Sequence, residues 1–385
     1  MPDKQKEPGR GLVNIAVQVS ADEIGSSQAG HGFTAQQEIR LAEAFLARIH
    51  LELGELKPAE EAVKKQLAAY PMNKPVSDKN VYGVSLLYHR AGQLAVARGK
   101  LAAAFEYFSY SAALSLRMQN PVSTAVNVTN MASLPAMMSA GTPGVMQLGR
   151  RLEALDTKTT RLLAQNPVAA DKPIAAIYHN KMGVYWLNFP WPPAGNLEAA
   201  VLQTRALQKA AIHFKRGLKL LEKEQHYHNR EKLALIAALH LNTAEVALDF
   251  ALKQSAAKHF ESALQASRRG MLPELEWRAL AGLGRLQAAL DVLDSVTLLR
   301  TGCGPGEIVA VFGPLVVDLV KEGKAEEAFN LAERLAELER FNRLAPMVGE
   351  LQDKAKDPFS RTVFRKIYIK LERIQKLRKK IARAQ

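Results

Sequence analysis

The residues most able to do chemistry come first. Cys303, the one cysteine in 385 residues, sits in Thr301-Gly-Cys-Gly-Pro-Gly306, where glycines could bare a thiol nucleophile or shape a phosphate turn. A phosphate loop needs Lys followed by Ser or Thr after its last glycine, and Glu307 stands there instead. A catalytic thiol needs a histidine partner, which no spacing supplies, so the segment reads as a turn between helices. His226-Tyr-His228 offers two imidazoles two residues apart, without a third ligand or the four-residue spacing that would put both on one helical face. It reads as a polar loop over 222–230. The other histidines are scattered, and no carboxylate pair lies in an apolar setting that would raise a pKa for acid–base work. The expectation is a non-enzymatic chain with no catalytic residue, no cofactor and no metal site.

Chemistry of recognition is better represented. From Ser360 to Gln385 ten cations face one acid, Glu372, which gives this segment +9 of the chain's net +14. Arg365, Lys366, Lys370, Arg373, Lys376, Arg378, Lys379 and Lys380 carry most of that charge. Phe364, Ile367, Leu371, Ile374 and Ile381 follow a 3-4-3 spacing with Arg378 at the remaining seam position, a coiled-coil-like stripe on a basic helix. Three partners suit it: the last helical hairpin or a partner helix, a nucleic-acid backbone, or an anionic membrane surface. Phosphate contacts would weaken steeply with salt, and apolar docking would not. A second recognition element is Asn188-Phe-Pro-Trp-Pro-Pro-Ala-Gly195, in which Phe189 and Trp191 stand among three prolines. It reads either as an extended contact loop or as two rings tucked back onto the body.

The elements that must position these groups are helices. Hydrophobic residues make up 48% of the chain and aromatics 6%, with alanine and leucine dominant and long β-branched alternations almost missing. Residues 237–263 show the building unit: Ala244, Ala247 and Ala251, then Ala256, Phe260 and Ala263, two apolar blocks at helical spacing that predict an antiparallel hairpin. Similar pairs are expected over about 37–70, 81–118, 121–165, 178–217 interrupted by the proline insert, 276–299 and 307–344. The methionine-rich stretch with Met131, Met137, Met138 and Met146 reads as adaptable core. Three segments follow: a leader or cap over 1–36, a repeat array over 37–345, and a linker with a basic amphipathic helix over 346–385. The N-terminus makes a poor signal peptide. No stretch approaches the roughly 18 to 20 apolar residues needed to cross a bilayer, and a lone cysteine fits a reducing compartment, so the cytoplasm is the expected location.

Gly54, Gly99 and Gly323, each followed five residues later by Ala59, Ala104 and Ala328, resemble the tetratricopeptide repeat. So do Ala47, Gly92, Gly183, Ala244 and Gly284 deep in the first helices, and the rings Phe108, Phe214 and Phe260. The resemblance covers roughly residues 37–345 and implies an all-α, right-handed solenoid of such hairpins that binds partner proteins along an inner groove. His89, Gln93, Asn180, Asn188, Glu245 and Asp249 would line that groove, with the basic terminal helix as a second contact. The Lys/Asn carboxylate clamp of chaperone-binding repeats is not reproduced. The runs 276–285, 316–328 and 331–340 further resemble the helical arrays that precede caspase-like CHAT protease domains in large bacterial proteins, which would make the chain the recognition part of a protease system whose catalytic module is a separate chain or is missing. A nucleic-acid-binding helical array driven by the tail is the other alternative.

Overall fold

The computed structural model describes residues 46–47, 49–51, 56–134, 145–166, 173–188, 197–222, 229–295 and 307–338, and every regular element among them is helical. The chain divides into two compact units, one within residues 14–227 and the other within 228–385. The break falls inside the stretch 37–345 expected as one continuous array; the segments 1–36 and 346–385 lie outside the described residues. The first unit contains α1 (Leu56–Ala69), α2 (Val81–Ala97), α3 (Leu101–Arg117), α4 (Pro121–Ser133), α5 (Val145–Gln165), α6 (Pro173–Asn188) and α7 (Leu197–Glu222). The second contains α8 (Arg230–Asp249), α9 (Lys253–Arg269), α10 (Pro273–Gly282), α11 (Leu286–Ser295), α12 (Glu307–Lys321) and a helical stretch over 325–338. Among the described residues no helix is long and apolar enough to cross a membrane.

One turn recurs six times among the described residues and makes hairpins of the helices. Its middle residue is left-handed, and the next N–H reaches back five residues to a carbonyl of the preceding helix. Around Gly99 (φ 69°) the bond runs from Lys100 N to Ala95 O at 2.8 Å; around Gly284 (φ 74°) it runs from Arg285 N to Leu280 O at 2.9 Å. Gly323, Ala251, Gln119 and Met271 occupy the same place. The carbonyl after the turn then accepts the first bond of the next helix, from the amides of Ala104, Ala256, Ala289 and Ala328, each at most 3% exposed. These bonds satisfy the carbonyls that a helix end leaves unpaired. Ala251 was expected in the packed row of its helix; it is instead an exposed turn residue at φ 58°. A side chain there costs about 1 kcal/mol relative to glycine. Ala251→Gly should therefore raise unfolding stability by about that amount, and a urea melt compared with wild type would show it.

Small residues set the hairpin spacing. A Cβ on Gly92 of α2 would come 2.5 Å from Phe108 of α3, and one on Gly183 of α6 would overlap the Phe214 ring of α7. Phe260 of α9 meets Gly282 at the end of α10, so this ring joins consecutive hairpins. Gly284, expected deep in a first helix, is the turn; Trp277, 1% exposed, stands seven residues before it, as Gly92 stands before Gly99. Three hydroxyls tie α2 to α3 at close range: Ser85 Oγ lies 3.1 Å from Ser111 Oγ and 3.0 Å from Ser115 Oγ.

Three first helices are enclosed on nearly all sides. Residues 84–92 of α2, 121–129 of α4 and 174–180 of α6 are buried without interruption, so no face is left polar. Within this unit α4 packs against α3, α5 and α6, and α6 against α7. A helix with no polar face has to be an inner element. Met131 of α4 is wholly buried, as core methionine should be.

Candidate functional site

The groove residues separate sharply. His89 is 4% exposed; its Nδ1–H donates to Asn127 Oδ1 across α2 and α4 at 2.9 Å, and Asn127 Nδ2 donates to Ser123 O at 2.8 Å. Burial, with the Arg90 charge beside it, pushes the His89 pKa down to about 4, so the ring is neutral and serves as a clasp between helices. Asn180 is 1% exposed on α6. Neither side chain can meet a partner while these helices stay packed, and both leave the set of binding residues. Gln93 is half-buried and its Oε1 accepts from Arg90 at 2.6 Å; Glu245 is half-buried; Asn188 and Asp249 are exposed at the C-terminal ends of α6 and α8. Phe189, Trp191, Cys303, the His226–His228 pair and the basic residues Arg365, Lys366, Lys370, Arg373, Lys376, Arg378, Lys379 and Lys380 lie outside the described residues.

The densest polar chemistry is a cluster that spacing did not single out. Asp156 on α5 accepts from Tyr178 O–H at 2.5 Å and from His213 Nε2–H at 3.1 Å. His213 Nδ1 on α7 in turn faces His179 Nδ1 on α6 at 2.9 Å. All four side chains belong to residues no more than 8% exposed. Burial alone would raise the Asp156 pKa, but the hydrogen bond and charge of His213 outweigh it, helped by Tyr178 and His179, and hold the carboxyl below its ordinary value. Burial, then the charges of His213 and Arg216, push His179 down to about 3 against the pull of Asp156. Burial and the neighbouring carboxylate push the Tyr178 hydroxyl well up.

Two nitrogens at that distance share one proton. With His213 neutral, its Nδ1 accepts from His179 Nδ1–H; with His213 charged, it donates to a bare His179 nitrogen. A further proton on His179 finds no acceptor and places two cations face to face. The carboxylate–histidine–histidine order orients protons as a catalytic relay does, yet the groups are enclosed and offer a substrate no approach. Among the described residues no three His, Cys, Asp or Glu side chains converge as metal ligands. What the arrangement does is lock α5, α6 and α7 together. At the rim the Lys209 ammonium of α7 sits 4.1 Å above the Trp186 ring and pairs with Glu153 of α5.

The same hairpin position recurs. His240 on α8 and His259 on α9 face each other through their Nδ1 atoms at 3.0 Å, and the Tyr88 and Tyr107 rings meet at a tilt of 47° with centroids 5.9 Å apart. Each pair lies four residues before a small residue (Gly92, Gly183, Ala244) and three after an alanine (Ala104, Ala210, Ala256). Those offsets were present in the sequence and would have revealed the pairs once the hairpins were aligned on their small residues. Burial, then His259, lowers His240 to about 4, and burial lowers His259.

One surface feature could receive a ligand chain. A depression of about 180 Å³ between α1, α2 and α3 is lined by Val63, Leu67, Leu94 and Tyr107, with Lys64 and Lys100 at its edge. The Arg98–Glu60 ion pair at 2.7 Å closes one side of it. No protein-family model matches the sequence, and no curated protein matches it either.

Proposed function

We propose that the chain is a right-handed α-solenoid of tetratricopeptide-like hairpins and acts as a non-enzymatic scaffold that binds partner proteins through the groove along its first helices and their exposed ends, with the basic terminal helix as a second contact. The observation that carries this reading is the six-fold repetition, among the described residues, of one left-handed turn, which generates hairpin after hairpin, while Asp156, Tyr178, His179 and His213 are spent on holding helices together. Gln93, Asn188, Glu245 and Asp249 stay in the contact set and His89 and Asn180 do not. Phe189 and Trp191 belong to the set through the proline-rich insert. A nucleic-acid contact is the second reading, favoured by the +9 of residues 360–385.

Purification with and without nuclease, at low and high salt, separates the two. A stoichiometric protein that stays bound at high salt supports the scaffold; nucleic-acid absorbance lost with salt overturns it as the main role. Once that partner is in hand, Asp249→Lys and Asn188→Glu are expected to weaken it about tenfold with the melting temperature unchanged, the size of effect typical of interface residues worth over 1 kcal/mol. Isothermal titration of each variant measures this, and unchanged affinity in both would move the contact elsewhere.

A further inference from the structure

The hairpin of α12 and residues 325–338 has one finished face and one open face. Ile308, Phe312, Ala328, Leu331, Leu335 and Leu338 are buried, and the Phe312 ring lies 6.1 Å from the Trp277 ring of α10. On the other side Val309 is 46% exposed, Val317 51%, Val320 60% and Phe329 62%. Along 325–338 the exposed apolar positions are Ala325, Phe329, Ala332 and Ala336, a 4-3-4 spacing that forms one continuous stripe. A hairpin that ends an array in water carries a polar outer face. Here exposed Glu326, Glu327, Asn330 and Glu333 flank an apolar stripe that is left open, the kind of face that another helix covers.

We propose that residues 364–381 of the same chain occupy that seat as an amphipathic helix, laying Phe364, Ile367, Leu371, Ile374 and Ile381 along Ala325, Phe329, Ala332 and Ala336. Three observations select this occupant. The 3-4-3 spacing of its apolar residues matches the 4-3-4 spacing of the stripe, and large side chains meet alanines, which lets two helices approach closely. The charges are opposite: residues 307–338 carry seven carboxylates and three cations, while residues 361–383 carry ten cations and one acid. Exposed Glu326 and Glu333 follow directly on Ala325 and Ala332, where a seated helix would bring Lys370 alongside. The stretch between 338 and 364 can span on the order of 80 Å when extended, ample to return to the hairpin. A second copy of the acidic face would instead meet like charge. Seating leaves Arg365, Lys366, Arg373 and Lys376 on the outward side, so the basic face stays free for a partner. The inference holds whether or not the array binds other proteins.

Disulfide trapping in the full-length chain tests it. In a Cys303→Ser background, Ala332→Cys is combined in turn with Ile367→Cys, Leu371→Cys and Ile374→Cys, and as controls with Lys366→Cys, Arg373→Cys and Lys376→Cys on the opposite face. Dilute protein is oxidised in a glutathione buffer and followed by non-reducing gel and mass spectrometry. At least one stripe pair is expected to close within one chain ten or more times faster than every control, and to keep that lead, with some slowing, in 1 M salt. Stripe pairs that close no faster than the controls overturn the proposal, as does a bond that forms only between two chains. Ala336→Cys replaces Ala332→Cys if the helical circular dichroism of the latter falls below wild type.

Discussion

Taking the protein from pH 7 to pH 5 should remove about 5 kcal/mol of stability, enough to unfold it or bring it to the edge. Burial first, and neighbouring charge second, depress His89 to about 4, His179 to about 3 and His240 to about 4. The unfolded chain binds protons on these rings from about 6.5 downward while the folded chain does not. Acid therefore favours the unfolded state, and stability is complete above 6.5 and lost from there to the folded values. Each ring contributes about 1.4 kcal/mol per pH unit across that window. Most of the charged groups facing them work in the same direction, while the Asn127 hydrogen bond favours a charged His89. Arg90 opposes a charge on His89, Arg216 and His213 oppose one on His179, and His259 opposes one on His240; Asp156 alone favours a charged His179. Helix α4, packed against α6, bears no charged residue. Asp156, held below its ordinary value, adds stability that disappears only at still lower pH. Urea melts at pH 7, 6 and 5 would read the slope, and His240→Leu with His259→Leu should flatten it by more than one ring's share, since burial lowers His259 too. A stability independent of pH over this range would mean that the rings open to water without unfolding.

Adding one methyl group at Gly183 should destabilise the protein by about 2–3 kcal/mol, whereas the same change at Gly83 should stabilise it by about 0.5–1 kcal/mol. Both glycines lie in helices, where alanine is ordinarily the better residue. The sign is decided by what the new Cβ meets: nothing within 4 Å at Gly83, and the Phe214 ring at Gly183. That ring is wholly buried between α6 and α7, so it has to leave its rotamer or push the helices apart. Gly92→Ala against Phe108 should behave like Gly183→Ala. Phe214→Leu in the Gly183→Ala background should recover part of the loss, a coupling that a double-mutant cycle measures. Equal effects at Gly83 and Gly183 would show that helix propensity, and not ring packing, governs these sites.

Much of the fold was written locally. Gly99 and Gly323 announce left-handed turns because glycine alone enters that region freely, and an alanine five residues on marks where the next helix must come close. The hairpin over 81–118 follows from such marks, and that over 237–263 from its two alanine blocks. Ala251, Gln119 and Met271 make the same turn without a glycine, since the bond back to the preceding helix and the packing around it hold a conformation their own preference opposes.

What the sequence by itself determined was thus the helical class, the turns at Gly99 and Gly323, and the small residues Gly92, Gly183 and Ala244 of the packed row, because each depends on neighbours a few positions away. Burial of the binding set was decided by tertiary structure. His89 and Asn180 look like outward polar residues one turn from a small one, but residues 84–92 of α2, 121–129 of α4 and 174–180 of α6 are enclosed, and a polar group there survives only by bonding to a neighbour. The Asp156, Tyr178, His179 and His213 cluster draws on three helices and spans up to 57 residues, and no local pattern encodes that separation. Periodicity tells which residues share a face; only packing tells whether that face meets water.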